Sequence, residues 1–503
     1  MKSSLKKRYL VKLLANIISA LVGAIVVAIV PSALGPSSYG KFIFIQQFFS
    51  NTFGFLDFGT SITFYTKISR NPERKELILF YFMISMVILS IAILFTQGAY
   101  FFELDSYIFN EISQYYVYLG LFFGFFTWAS SAYIRVFDAY LLTVQVEIIK
   151  ILYKLGFLVS ILLFTYVYHL NLEMFLWLSI SSLLIFILTM NRYLIKKSVV
   201  AGLFSRKKVN YKDLIIEFKE FCAPIASYGI VLMLVGIADI WLLQYVSGLE
   251  EMGFYGASFQ IGAIGFMITS AMIPIINREF AYCQENNDSR QIRSLFKKYI
   301  PMFFSLSALM SIYVAFQADN IIGLFLDDRY NSAYVPLILL SFFFTYLAYT
   351  RIIETILFSF QKTKEYRNIG LIYNIFGVAL SFLFIFIFEF GATGLAIKML
   401  LTQLFGSSII LYFSSKIVEV KASSIFKHQI ISIFLLALIG YLAILITPQF
   451  QLYILNMAFY GVVYFGLAIL ATYIYPNLFS LTRQGVDTQI LLIKQRLYKF
   501  FYL

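Results

Sequence analysis

Cysteine and histidine are nearly missing from this sequence of 503 residues, with two of each. No Cys/His spacing suits a metal, and His169 and His428 stand apart from any Ser/Asp context, so neither a metal centre nor a His-based catalytic site is expected. No glycine-rich loop ends in Lys and Ser/Thr, which excludes a built-in ATPase. The chain therefore reads as a non-enzyme without cofactors. Charge is also scarce, at 13% of residues, against about 25% in soluble domains. In its place stand 60% hydrophobic residues and a mean hydropathy of +0.82. The fold class is all-α, a polytopic membrane protein. Its net charge of +13 follows from basic loops on one face of a membrane and calls for no nucleic acid.

A hydrocarbon core about 30 Å thick needs about 20 apolar residues per helix. Fourteen segments fit, near 9–30, 41–65, 77–97, 114–135, 148–168, 173–194, 222–246, 254–277, 300–325, 334–358, 369–389, 391–414, 429–447 and 452–475. The first lacks a small-residue cleavage site and reads as a retained helix. With fourteen spans, alternate loops carry the basic residues, from Lys67, Arg70, Arg74 and Lys75 through Lys196 and Lys197 to Lys416, Lys421 and Lys427. The opposite loops carry acids such as Glu103, Asp105, Glu250 and Glu251. Both termini are then cytoplasmic and the expected location is a bacterial inner membrane. Cys222 and Cys283 fall on the cytoplasmic side, where no disulfide is expected.

The segments divide into an N-terminal lobe (1–194), a cytoplasmic amphipathic linker (195–221), a C-terminal lobe (222–415), two extra helices (416–475) and a cytoplasmic tail (476–503). Each lobe holds six helices. The halves share a turn: Leu34-Gly-Pro-Ser-Ser-Tyr-Gly40 separates two apolar helices, as does the stretch closing in Gly253-Phe-Tyr-Gly256. Aligning Tyr39-Gly40 with Tyr255-Gly256 gives an internal duplication of the kind found in secondary transporters.

These patches also carry a family resemblance. Pro224 followed by Ile237-Ala-Asp-Ile-Trp-Leu-Leu-Gln-Tyr-Val-Ser-Gly248 and the Met252-Gly-Phe-Tyr-Gly-Ala-Ser258 turn resembles the middle of the polysaccharide-export flippases. Leu34-Gly-Pro-Ser-Ser-Tyr-Gly-Lys-Phe42 and Leu56-Asp-Phe-Gly59 are similar to that family's first two helices. It belongs to the MATE-like MOP flippase superfamily, and the layout looks most like the O-antigen repeat-unit flippases. The resemblance implies movement of an undecaprenyl-diphosphate-linked oligosaccharide to the periplasmic leaflet by alternating access, for surface polysaccharide biosynthesis. It also implies a polysaccharide polymerase and a chain-length regulator as candidate partners.

Ionisable residues inside apolar helices are costly and mark function by default. Arg351, Lys398, Arg135 and, at an outer helix mouth, Lys41 are the candidate contacts for a substrate diphosphate. Asp239, Asp57 and Glu354 are candidates for holding those cations or a coupling ion, H+ or Na+. Bland readings stand beside these. Arg351 and Glu354 share a helix face and can pair, as can Arg135 and Asp138. Asp57 can be a cap, and Lys398 can pair with Asp239 across helices. Gly120 and Gly124 form a GxxxG suited to close helix contact. A MATE-type drug or metabolite exporter is the alternative function, and an O-antigen polymerase a remoter one, because the outside loop near 97–113 has no Arg or Lys.

Overall fold

The structure, a computed structural model, describes residues 5–197, 199, 211–270, 273–484 and 487. The centre of the expected linker and most of the expected tail lie outside these residues. Among the described residues there is no strand. The chain runs as α1 (Leu5–Leu34), α2 (Pro36–Asp57), α3 (Thr60–Arg70), α4 (Glu76–Phe101), α5 (Asp105–Ile108), α6 (Gln114–Ala139), α7 (Thr143–Val167) and α8 (Leu172–Lys196). It continues as α9 (Tyr211–Ser270), α10 (Ile273–Glu285), α11 (Ser289–Phe316), α12 (Ala318–Phe325), α13 (Tyr334–Ser359), α14 (Thr363–Ser381), α15 (Gly391–Val418), α16 (Ala422–Ile446) and α17 (Tyr453–Ile474).

Twelve helices among the described residues are long and apolar enough to cross a membrane. The other two of the fourteen expected segments are present as helix, for different physical reasons. The 41–65 segment is broken, because Phe58 (φ 44°) and Gly59 (φ 81°) are left-handed and separate α2 from α3. Lys41, Gln46, Gln47, Asn51 and Asp57 also dilute the apolar character of α2. The 222–246 and 254–277 segments run into one long element, α9, that turns at Gly248 (φ 85°). At 1.5 Å per residue its 60 residues would measure about 90 Å if straight, far more than one crossing.

The chain divides into two compact units: residues 1–257 with 378–395, and residues 258–377 with 396–503. In the first unit α1 packs on α7, and α6 packs on α2 and α8. Gly120 and Gly124 of α6 let α2 approach: a Cβ on either would lie 2.8 Å from Ile45 or 2.7 Å from Phe49. The GxxxG is thus an intramolecular contact. The amphipathic start of α9 is covered by protein, with Leu214 and Phe218 buried and Phe218 edge-on to Phe80 at 5.0 Å. In the second unit α11 lies against α13 and α16, and α17 against α16. Tyr349, Tyr460 and Tyr464 fill that core.

The duplicated turn is visible within the first unit, but three residues away from the Tyr-Gly alignment. Gly35 (φ 77°) and Gly248 (φ 85°) make the two breaks, and Pro36 and Leu249 open the helices that follow. Gly40 and Gly253 are the equivalent positions, each five residues past its break. They pack reciprocally: a Cβ on Gly40 would run into the Leu249 carbonyl, and one on Gly253 into the Pro36 carbonyl. One turn later Gly256 faces Ile43 in the same register. Backbone-to-backbone contact sets the register of the two turns.

Candidate functional site

The expected site residues divide between the two compact units. In the first unit Asp57 is 8% exposed and closes α2. Its Oδ1 accepts from Thr60 Oγ1 (2.8 Å) and from the Ser61 amide (3.0 Å), and its Oδ2 from Ser61 Oγ (2.7 Å). Asp57 therefore satisfies one of the orphan amides that open α3, that of Ser61, as N-terminal capping carboxylates do. Arg135 Nη1 donates to the same Ser61 Oγ. The pairing of Arg135 with Asp138 is overturned: Asp138 instead bonds Lys12 Nζ of α1 at 3.2 Å. The three-residue spacing allowed the local pair, but the packing of α3 against α6 offers Arg135 the Ser61–Asp57 chain.

Further along α3 lies an ion cluster outside the candidate spans. Glu217 receives Lys67 Nζ at 2.6 Å and a two-pronged grip from Arg74, 3.1 Å to each oxygen. The Arg74 hydrogen bonds, with help from Lys67, pull the Glu217 carboxyl down to about 2 against the opposing effect of burial. The first turns of α9 are thereby pinned to the α3–α4 corner.

Sequence reasoning passes over a third group. Glu147, 1% exposed, meets Lys150 Nζ at 2.5 Å within α7, and Lys150 reaches Asn16 Oδ1 of α1 at 3.5 Å. Lys154, half-buried, follows one turn later on the same face. It lies eleven residues into α7, about 16 Å along the axis and so near mid-span. No hydrogen bond or ion pair joins Lys154 among the described residues. A boundary set at 148 by apolarity puts these residues at a helix mouth, whereas the helix begins at Thr143. The Glu147–Lys150–Lys154 spacing was the signal available.

Asp239 is half-buried and accepts from Ser381 Oγ at 2.6 Å. Glu251, expected as a loop acid, instead caps α15 through the Ala392 amide at 2.7 Å. Lys41 is half-buried in the second turn of α2.

In the second unit Arg351 and Glu354 do pair, Nη1 to Oε2 at 3.2 Å. The glutamate is buried, while the arginine side chain is 51% exposed. Lys398 is 4% exposed and seven residues into α15, about 10 Å along the axis. Its stem passes Gly377 of α14, where a Cβ would lie 3.2 Å from Cε. Asp239 belongs to the first unit and Lys398 to the second. No group of three or more His, Cys, Asp or Glu suited to a metal occurs among the described residues. What this arrangement offers is deep cations able to offset an anion's loss of hydration, with acids that orient them.

No protein-family model and no curated protein matches this sequence. Solved structures do match. Lipid II flippase MurJ in its inward closed conformation aligns over 92% of this chain and 98% of its own, with a TM-score of 0.69 and 11% identity. An inward-facing multidrug resistance MATE family transporter of the MOP superfamily covers 82% of this chain and 96% of its own, with a TM-score of 0.63 and 13% identity. A MOP superfamily transporter from Pyrococcus furiosus, described as having a binding pocket of reverse polarity, covers 83% and 97%, at 0.55 and 12% identity. The protein is multi-pass in the membrane and has the fold of these flippases and transporters.

Proposed function

We propose that this protein flips an undecaprenyl-diphosphate-linked oligosaccharide, an O-antigen repeat unit, from the cytoplasmic to the periplasmic leaflet of the inner membrane by alternating access. Both termini face the cytoplasm in this reading. The observation that carries it is Lys398: a lysine 4% exposed and well inside an apolar helix, in a chain whose fold matches a lipid II flippase along nearly its whole length. Taking a charged group out of water costs on the order of several kcal/mol even after relaxation. A polyprenyl diphosphate faces the same cost in crossing lipid. Fixed cations at Lys398, Arg351 and Arg135 offset it for the headgroup, while the polyprenyl tail stays in lipid. Lys41 stands at the outer mouth. Asp239, with Ser381 beside it, is the candidate for a coupling ion, H+ or Na+; Asp57 and Glu354 position Arg135 and Arg351. A polymerase and a chain-length regulator are the natural downstream partners.

A MATE-type exporter of cationic drugs is the second reading, favoured by the MATE likeness. Lys154, Arg351 and Lys398 weigh against it, since they would repel such cargo. The deciding experiment measures the sidedness of polyprenyl-diphosphate oligosaccharide in cells lacking the gene. The expected result is complete units held on the cytoplasmic face, restored by the native gene and not by a normally expressed Lys398→Ala/Arg351→Ala double variant. Complete units on the outer face, left unpolymerised, would refute the flippase and favour a polymerase.

A further inference from the structure

At one end of the second unit, α11, α16, α17 and the short turn Pro476–Phe479 enclose an open cavity of about 1020 Å³. Lys297 and Lys298 of α11 and Lys427 of α16 stand around it, and among the described residues no carboxylate lines it. Hydroxyls from Ser294, Ser424 and Thr472 lie between the lysines, and Ile431 and Ile469 form an apolar wall. His428, at the inner edge, is fixed by Ser305 Oγ at 3.0 Å and Ser432 Oγ at 3.2 Å. This end also carries Arg290, Arg293 and Lys421, which makes it the cytoplasmic end by the positive-inside rule.

From this geometry we infer that the cavity binds the phosphate headgroup of an anionic glycerophospholipid of the adjoining leaflet. Three features select that ligand. The charge is of one sign, and basic pockets between membrane helices suit anionic headgroups. The volume is at the top of the range of about 300–1,000 Å³ that holds a drug-sized ligand, far more than inorganic phosphate fills. The Ile431–Ile469 wall continues along helices that span the bilayer, so acyl chains meet an apolar surface directly below the lysines. The site uses none of the residues proposed to contact the transported substrate, and it stands whether or not the protein is a flippase.

The test is native mass spectrometry of the full-length protein in detergent, with phosphatidylglycerol, phosphatidylcholine or undecaprenyl phosphate added. Phosphatidylglycerol should be retained in preference to the other two. The Lys297→Gln/Lys298→Gln/Lys427→Gln variant should weaken retention roughly fivefold per lysine, about a hundredfold in all. Ile469→Trp, which narrows the cavity at unchanged charge, should weaken it too. Lys362→Gln/Lys364→Gln/Arg367→Gln, at a basic loop outside the cavity, should not. Unchanged retention in the lysine variant, or in Ile469→Trp, would overturn the site. Displacement by inorganic phosphate, or stronger retention of undecaprenyl phosphate, would overturn the glycerophospholipid.

Discussion

Substituting Gly253 by alanine tests the crossing on which the first unit turns. The added Cβ would sit well inside the van der Waals contact distance of the Pro36 carbonyl oxygen, with the Pro36 carbonyl carbon 2.9 Å and Cα 3.1 Å away. The obstacle is backbone at the start of a helix, so no rotamer change relieves it. The helices must part by roughly the deficit against ordinary contact, and forced overpacking of this kind costs about 1–3 kcal/mol. Alanine offsets part of this, because it is better than glycine in a helix interior by about 0.5–1 kcal/mol. The same offset acts at Gly156 of α7 and Gly98 of α4, where nothing lies within 4 Å of a Cβ. The expected order of stability is therefore Gly156→Ala at or above the native protein, with Gly253→Ala and Gly40→Ala below both. Thermal unfolding of the detergent-solubilised protein, followed by tryptophan fluorescence and by loss of the monodisperse peak, measures this order. Gly253→Ala and Gly40→Ala should also be less than additive, because either one already parts the helices. If Gly253→Ala proves as benign as Gly156→Ala, the reciprocal packing of the two turns is wrong.

Asp57→Ala should destabilise by about 0.5–2 kcal/mol through loss of the α3 cap, and Asp57→Asn, which keeps an acceptor, by less; equal losses in urea-dependent unfolding would show that charge rather than capping governs the site. The Glu217 carboxyl is held below its ordinary value of 4.5 at about 2, so its stabilisation is present above pH 4.5 and is lost as pH falls from 4.5 towards 2. Glu217→Gln should flatten that part of the stability–pH curve, and an unchanged acid limb would refute the Lys67–Arg74 grip. Lys154→Met should raise thermal stability by removing a desolvated charge near mid-span while lowering transport, since buried charges of this kind are kept for function. A variant that is both more stable and fully active would show that Lys154 has no part in transport.

The helical, multi-pass class and most spans were legible because 20-residue apolar runs leave little freedom. Segment 41–65 shows where that logic stops. The sequence there reads as one run, but Phe58 takes a left-handed conformation that side chains rarely adopt, held by the Asp57 cap. The duplication was legible in kind and misread in register: Tyr39 and Tyr255 are conspicuous in sequence, whereas Gly35 and Gly248 carry the backbone conformation. Partner choice was the least legible. Arg351 and Glu354 pair along one helix, as spacing allows. Arg135 ignores an equally spaced Asp138 for a serine seventy-four residues away, because tertiary packing decides between competing partners. Lys154 was missed because apolar averaging places helix ends by composition, and five residues of α7 precede the apolar run.

The placement of the deep cations bears on how a flippase could release what it binds. In the proposed topology α13 runs towards its basic loop and α15 starts from the opposite side, so helix lengths give the depths of their cations. Arg351 lies eight residues, about 12 Å, before the end of α13. Lys398 lies about 10 Å after the start of α15. In a core about 30 Å thick, the two cations stand at different depths. A single ring of cations would bind a diphosphate tightly at one level and hold it there. Conduction needs sites favourable enough to enter yet weak enough to leave, and staggered cations meet that need. Glu354 strengthens the case, because it occupies one guanidinium nitrogen of Arg351 and tempers its grip on an anion. On this argument Glu354→Gln should increase affinity for a polyprenyl diphosphate and slow its flipping. Lys398→Ala alone should slow flipping without abolishing it.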